Sequence, residues 1–74
     1  MPANYKRVPA IDKSFSILEL IAHARRPLGF AEIVRELGLN KSTVFNILYT
    51  LNDLGVLDKD STGLFHLGSR LFVL

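Results

Sequence analysis

The chain has 74 residues, room for one small domain. It contains no cysteine, which excludes disulfides and thiolate-bound zinc and leaves packing alone to hold a core. The net charge is only +2, and no apolar run approaches the roughly 18 residues that a membrane span needs, so no membrane partner is expected.

Residues 1–9 read as a flexible basic arm, with Pro2 and Pro9 around Lys6 and Arg7 and little apolar pattern. No apolar stretch of the signal-peptide kind follows Met1, so the cytoplasm is the expected location. Charge is unevenly spread: residues 1–26 hold Lys6, Arg7, Lys13, Arg25 and Arg26 against Asp12 and Glu19, a local balance of +3. A segment of that sign suits a polyanion, although an ordinary solvated face would look the same.

Residues 10–25 predict a first helix. Ile11, Phe15, Leu18 and Ala22 step along one face, and Ile17, Leu20, Ile21 and Ala24 form a second stripe. A helix apolar over so wide an arc should be buried on more than one side. With a mean hydropathy of +0.26 for the whole chain, some of that surface is expected to meet a partner outside the chain. Arg25 and Arg26 suit the negative end of the helix, and Pro27 stops it. Leu28-Gly29-Phe30 then allows only a short extended link.

Residues 31–37 predict a second helix, with Ile33, Val34 and Leu37 inward and Glu32, Arg35 and Glu36 outward. Gly38 is its stop. After Leu39, Asn40 is placed to cap a third helix over residues 41–54 by accepting a backbone N–H bond. Val44, Ile47, Leu48, Leu51 and Leu54 form its buried stripe, and Gly55 ends it. Residues 56–59 and 64–67 read as two short strands around the turn Asp60-Ser61-Thr62-Gly63. Residues 69–74 read as the start of a further helix, and an end on four apolar residues suggests a chain that continues.

The second and third helices with the turn Gly38-Leu39-Asn40 make a helix-turn-helix, and the hairpin behind them has the place of a wing. The fold class is therefore mainly α with a small β-hairpin, a three-helix winged helix-turn-helix. The open face of the third helix presents Lys41, Ser42, Thr43, Phe45, Asn46 and Tyr49. The N-terminal end of such a helix enters the major groove. Lys41 offers a charge to a phosphate or to guanine, Ser42 and Thr43 offer hydroxyls to phosphate, and Asn46 can bond an adenine edge twice. Phe45 and Tyr49 can pack on a thymine methyl.

Each has a plainer reading beside it: Ser42 and Thr43 as helix-start residues, Phe45 packed on the wing, Tyr49 as part of the core. Ala31 at the start of the second helix offers backbone N–H groups to a phosphate. Arg26 offers a flanking backbone contact or only a helix cap. In the wing, Lys59 and Thr62 are candidates for backbone or minor groove, although Asp58 and Asp60 flank Lys59 and weaken its pull. Nothing points to an enzyme, a metal site or a cofactor. His23, expected to be partly buried, and His66, expected on a solvent-facing strand position, sit on different elements without a matching carboxylate or nucleophile.

Three stretches carry a family resemblance: Ile11-Asp12-Lys13-Ser14-Phe15-Ser16-Ile17-Leu18; Gly38-Leu39-Asn40-Lys41-Ser42-Thr43-Val44 with Leu48, Thr50, Leu51, Leu54 and Gly55; and Phe65-His66-Leu67-Gly68-Ser69-Arg70-Leu71. Together they make residues 8–74 similar to the N-terminal domain of the IclR family of transcriptional regulators. The resemblance implies sequence-specific binding of a palindromic double-stranded DNA operator, with helix 41–54 in the major groove and wing 56–67 beside it. It implies a homodimer or tetramer, and a small-molecule effector bound by a larger C-terminal domain that this sequence lacks. The corresponding organisation is an arm (1–9), a DNA-binding domain (10–68) and the start of a linker helix (69–74).

The sequence departs from the family at Asn46, where arginine is frequent, at Val34, where a smaller alanine is usual, and at Ser14, where arginine is frequent. The reading from another class is a winged-helix module for protein–protein contacts that never touches nucleic acid, which the low net charge favours.

Overall fold

The computed structural model describes residues 4–73. Pro9 opens helix α1 (Pro9–Ala24), where proline loses nothing because the amide hydrogen it lacks would have no partner. No side chain caps this start. Instead Arg7 reaches over from the preceding segment and grips Asp12 in the first turn, its Nε and Nη2 donating to the carboxylate at 2.7–3.1 Å. That hydrogen-bonded fork holds the Asp12 carboxyl below its usual range. The chain leaves α1 through Arg25, which takes the left-handed conformation at φ 61°.

Helix α2 (Phe30–Leu37) ends on Gly38 at φ 63°, whose N–H donates to the Val34 carbonyl at 2.9 Å. Glycine takes that conformation without the clash a Cβ would bring, and this makes the tight turn into the next helix possible. Asn40 begins helix α3 (Lys41–Asp53): its Oδ1 accepts from the Ser42 amide at 2.9 Å and the Thr43 amide at 3.3 Å. The helix-turn-helix therefore stands, with boundaries within about a residue of those the sequence predicts.

Strands β1 (Leu57–Lys59) and β2 (Phe65–Leu67) pair antiparallel, Leu57 opposite Leu67 and Lys59 opposite Phe65. Asp60 builds the turn between them, its Oδ1 accepting from the Thr62 amide, the Thr62 hydroxyl and the Leu64 amide at 2.6–3.0 Å. The Thr62 hydroxyl first, then the Leu64 amide, hold the Asp60 carboxyl below its ordinary range. The link expected at residues 28–30 does more than connect. Leu28 exchanges both backbone bonds with Phe65, at 2.9 and 2.8 Å, and so forms a one-residue third strand beside β2. After β2 the backbone of Gly68 lies directly on Gly55, where an added Cβ would come within 2.2 Å of the Gly55 carbonyl oxygen. A short 3-10 helix, Ser69–Phe72, follows.

Ile17, Ile21, Leu28, Ile33, Val44, Leu48, Leu57 and Phe65 form the core. They come from all three helices, both strands and the Leu28 link, so the wing shares the helices' core and is not an appendage. Among the described residues no polar side chain is buried.

Three expectations need correction. Helix α1 buries one side only: Ile17 and Ile21 are inside, while Ile11 and Phe15 of the other stripe are 57% and 61% exposed. Two stripes at helical spacing do not reveal which of them meets the core. Leu54 is 49% exposed because α3 has already ended at Asp53 and the chain turns away there. His23 is exposed, not partly buried, since it lies on the outward flank of α1.

Candidate nucleic-acid interface

Helix α3 has two sides of opposite character. Val44 and Leu48 are buried, and Ile47 and Leu51 pack against the core beside them. Ser42, Asn46 and Asp53 lie on the opposite side, at spacings of four and seven residues, and all three are exposed. Lys41 at the first position and Phe45, 49% exposed, flank this stripe. A shallow groove bordered by Ala10, Ser14, Asn46 and Thr50 places the first turns of α1 beside the same open face.

The polar groups on this face are not equally free. The Ser42 hydroxyl donates to Asn40 Oδ1 at 2.6 Å, so it serves the helix cap as well as facing outward. Thr43 is half-buried, with its amide on the same cap. The Asn46 side chain, by contrast, has no hydrogen bond among the described residues; the Thr50 hydroxyl donates to its backbone carbonyl at 2.7 Å.

Aromatic rings line the flank toward α2 and the wing. Phe45 meets Phe30 edge-on at 6.1 Å and leans on Tyr49 at 4.6 Å. Tyr49 in turn meets the buried Phe65 edge-on at 5.7 Å. Tyr49 is half-buried, and Lys59 lies above it, its Nζ 4.8 Å from the ring centroid and donating to the hydroxyl at 3.1 Å. Phe30, Phe65 and Asn52, whose Nδ2 donates to the Leu57 carbonyl at 3.0 Å, hold this arrangement, a part that helical period alone does not reveal.

Of the remaining candidates, Ala31 is exposed at the start of α2, next to Phe30. Arg26 is committed within the domain. It forms a two-armed ion pair with Glu32, one arm at 3.1 Å, and donates to the Pro27 carbonyl at 3.3 Å. That pairing holds the Glu32 carboxyl below its usual range. The Thr62 hydroxyl spends its proton on Asp60.

The charges on α3 run against its own dipole. A helix end is partly positive at the N-terminus and partly negative at the C-terminus, so acids are favoured first and bases last. Helix α3 has a base, Lys41, first and an acid, Asp53, last, with no acid in its first turn and no base in its last. Side chains and backbone thus add to one field, positive where α3 begins. Such an end attracts a phosphate chain.

Comparison with known proteins agrees with this geometry. The model of the IclR helix-turn-helix domain matches residues 10–61. The glycerol operon regulatory protein of Streptomyces coelicolor is 33% identical over 70 residues, which is 93% of this chain and 28% of that protein. Among solved structures, the repressor BlcR of Agrobacterium tumefaciens superposes with a TM-score of 0.83 at 30% identity, over 93% of this chain and 28% of that one. An IclR transcriptional regulator of Alicyclobacillus acidocaldarius gives 0.85 at 28% identity, over 92% and 28%. The chain thus spans little more than a quarter of the length of the relatives it matches. With the family's helix-turn-helix in place and most of the chain inside the match, the protein belongs to the IclR helix-turn-helix domain family.

Proposed function

We propose that the chain binds double-stranded DNA as the reading domain of a transcriptional regulator. Helix α3 enters the major groove by its N-terminal half, and the hairpin lies alongside on backbone or minor groove. The observation that carries this reading is the reversed polarity of α3: a stabilising charge pattern is given up so that Lys41, the helix start and the open Ser42–Asn46 stripe face outward under one positive field. Lys41 serves phosphate or guanine, Asn46 reads a base edge, Phe45 offers a thymine methyl an apolar neighbour, and the amides at Ala31 meet phosphates, while Ser42 and Thr43 serve the Asn40 cap.

The exposed outer stripe of α1, Ile11 and Phe15, with Tyr5 and Val8 beside Ile11, supports a second proposal: two copies pair and present two reading helices to a two-fold operator. The protein would act in the cytoplasm, where such an operator is accessible.

Selection of duplexes from a random-sequence pool, repeated with Asn46→Ala, tests the main reading. The wild type should enrich a motif and lose affinity steeply with salt, since each phosphate contact releases counterions. Asn46→Ala should relax one position of the motif with a modest loss of affinity, about tenfold for a well-made base contact. An absence of any salt-dependent binding would favour a protein-interaction module instead.

A further inference from the structure

Tyr49 and Lys59 touch each other across the junction of recognition helix and wing, and the surroundings of that contact show what it does. Lys59 is the last residue of β1 before the tip, and it stands in register opposite Phe65 on β2. Tyr49 therefore meets the wing on both strands, Phe65 by its ring edge and Lys59 by its face and hydroxyl. Three residues further along α3, Asn52 holds the carbonyl of Leu57 at the other end of β1. Two side chains of one helix thus fasten β1 at both ends. Strands of three residues are too short to hold a direction by their own pairing. Of the contacts between α3 and β1, the one at Lys59 lies nearest the tip.

We propose that Tyr49 and Lys59 form a latch that fixes the angle between recognition helix and wing, and that both are positioning residues for DNA, not readers of it. The inference rests on the DNA-binding reading above. Lys59 is a poor phosphate ligand where it stands, because Asp58 and Asp60 flank it and its ammonium is already engaged by Tyr49. Phe45 leans on the same ring at 4.6 Å, so the latch also bears on an exposed aromatic of the reading face.

The test uses the whole chain, carrying Tyr49→Phe, Lys59→Met or both, and duplexes selected by the wild type from a random pool. Tyr49→Phe keeps the ring and removes the hydroxyl; Lys59→Met keeps the apolar stem and removes the charge. Each single change should weaken binding roughly threefold to tenfold, the effect of one modest hydrogen bond, with the slope of log affinity against log salt unchanged. The double variant should bind no more weakly than the weaker single one, because both remove the same contact.

In the free wild type the ε-methylene protons of Lys59 should be shifted upfield by the Tyr49 ring, and they should stay shifted when DNA binds. Urea unfolding of each variant separates lost affinity from lost fold. A slope that falls by about one unit in Lys59→Met, with additive losses and an ε-methylene signal released on binding, would make Lys59 a phosphate contact and end the latch while leaving DNA binding intact. Undiminished affinity in both single variants also overturns it. A wild type that binds no duplex removes the DNA reading and the latch with it.

Discussion

Helices α1 and α2 differ from α3 in where they keep their charges. Helix α1 has Asp12 in its first turn and α2 has Glu32 there, so both place an acid where the macrodipole favours one, while the last turn of α2 holds Arg35 beside Glu36. Helix α3 does the opposite with Lys41 and Asp53, and each such misplacement costs an ordinary helix roughly 0.3–1 kcal/mol. The compensation is also local to α3. It alone among the three has a side-chain N-cap, with Asn40 accepting two backbone amides, an arrangement worth about 1 kcal/mol in a typical helix. Helices α1 and α2 thus begin on acids that suit their own dipoles, whereas α3 begins on a base and is held in place by its cap.

The sharpest way to break this comparison is to right the polarity of α3. Lys41→Glu puts an acid where the dipole favours one, so the melting temperature should hold or rise slightly. DNA affinity should fall about tenfold to a hundredfold, the range for losing one charge-assisted bond. The mirror change, Asp53→Lys, should also stabilise the helix but leave affinity undiminished, since it adds attraction at the far end. Calorimetry and a fluorescence titration on the same samples decide. Equal affinity for Lys41→Glu and wild type would mean that the reversed charges have no bearing on DNA.

A smaller effect separates cap from charge. Aspartate caps a helix about as well as asparagine does and suits the dipole better. Yet position 40 holds the neutral residue, at the end of α3 that would face the phosphates in the proposed complex. Asn40→Asp should therefore preserve stability while weakening DNA binding about threefold to tenfold, and the loss should shrink as salt is added. Asn40→Ala should do the reverse, lowering stability by about 1 kcal/mol with a smaller effect on affinity at temperatures where the domain remains folded.

How much of this was legible in the sequence follows from the range of each interaction. Gly38, Asn40 and the Val44–Leu48 spacing are signals confined to a few residues, and they placed the helix-turn-helix and its cap correctly. The Asp60-Ser61-Thr62-Gly63 turn was equally readable, because its hydrogen bonds close within five residues. The third strand at Leu28 was not, since one residue has no period and its partner Phe65 is far along the chain. Nor could the spacing show which stripe of α1 faces the core, and Ile11 and Phe15 proved to be outside. On the candidate interface, the outward positions of Lys41, Ser42 and Asn46 followed from helical period alone. The contact of Tyr49 with Lys59 did not, because it depends on where the hairpin folds back.

The smallest expected effect concerns the wing, the region where neither dipole nor base reading decides the charge. Asp60 accepts three hydrogen bonds, and the Thr62 hydroxyl, ahead of the Leu64 amide, lowers its pKa. A carboxyl with a depressed folded pKa contributes stability above its unfolded pKa and loses it as pH falls through the folded one. Acidification below the ordinary range of aspartate should therefore loosen the turn first, while the core helices still hold. Hydrogen exchange at the Thr62 and Leu64 amides should speed up, relative to the intrinsic rate at each pH, before that at Val44 or Leu48. Asp60→Asn should show the fast exchange already at neutral pH and lose the pH dependence. If both amides stay protected through that range in the wild type, the turn is held by Gly63 and the strand pairing instead of by the carboxylate, and the wing's acid is as incidental to its fold as Asp53 is to that of α3.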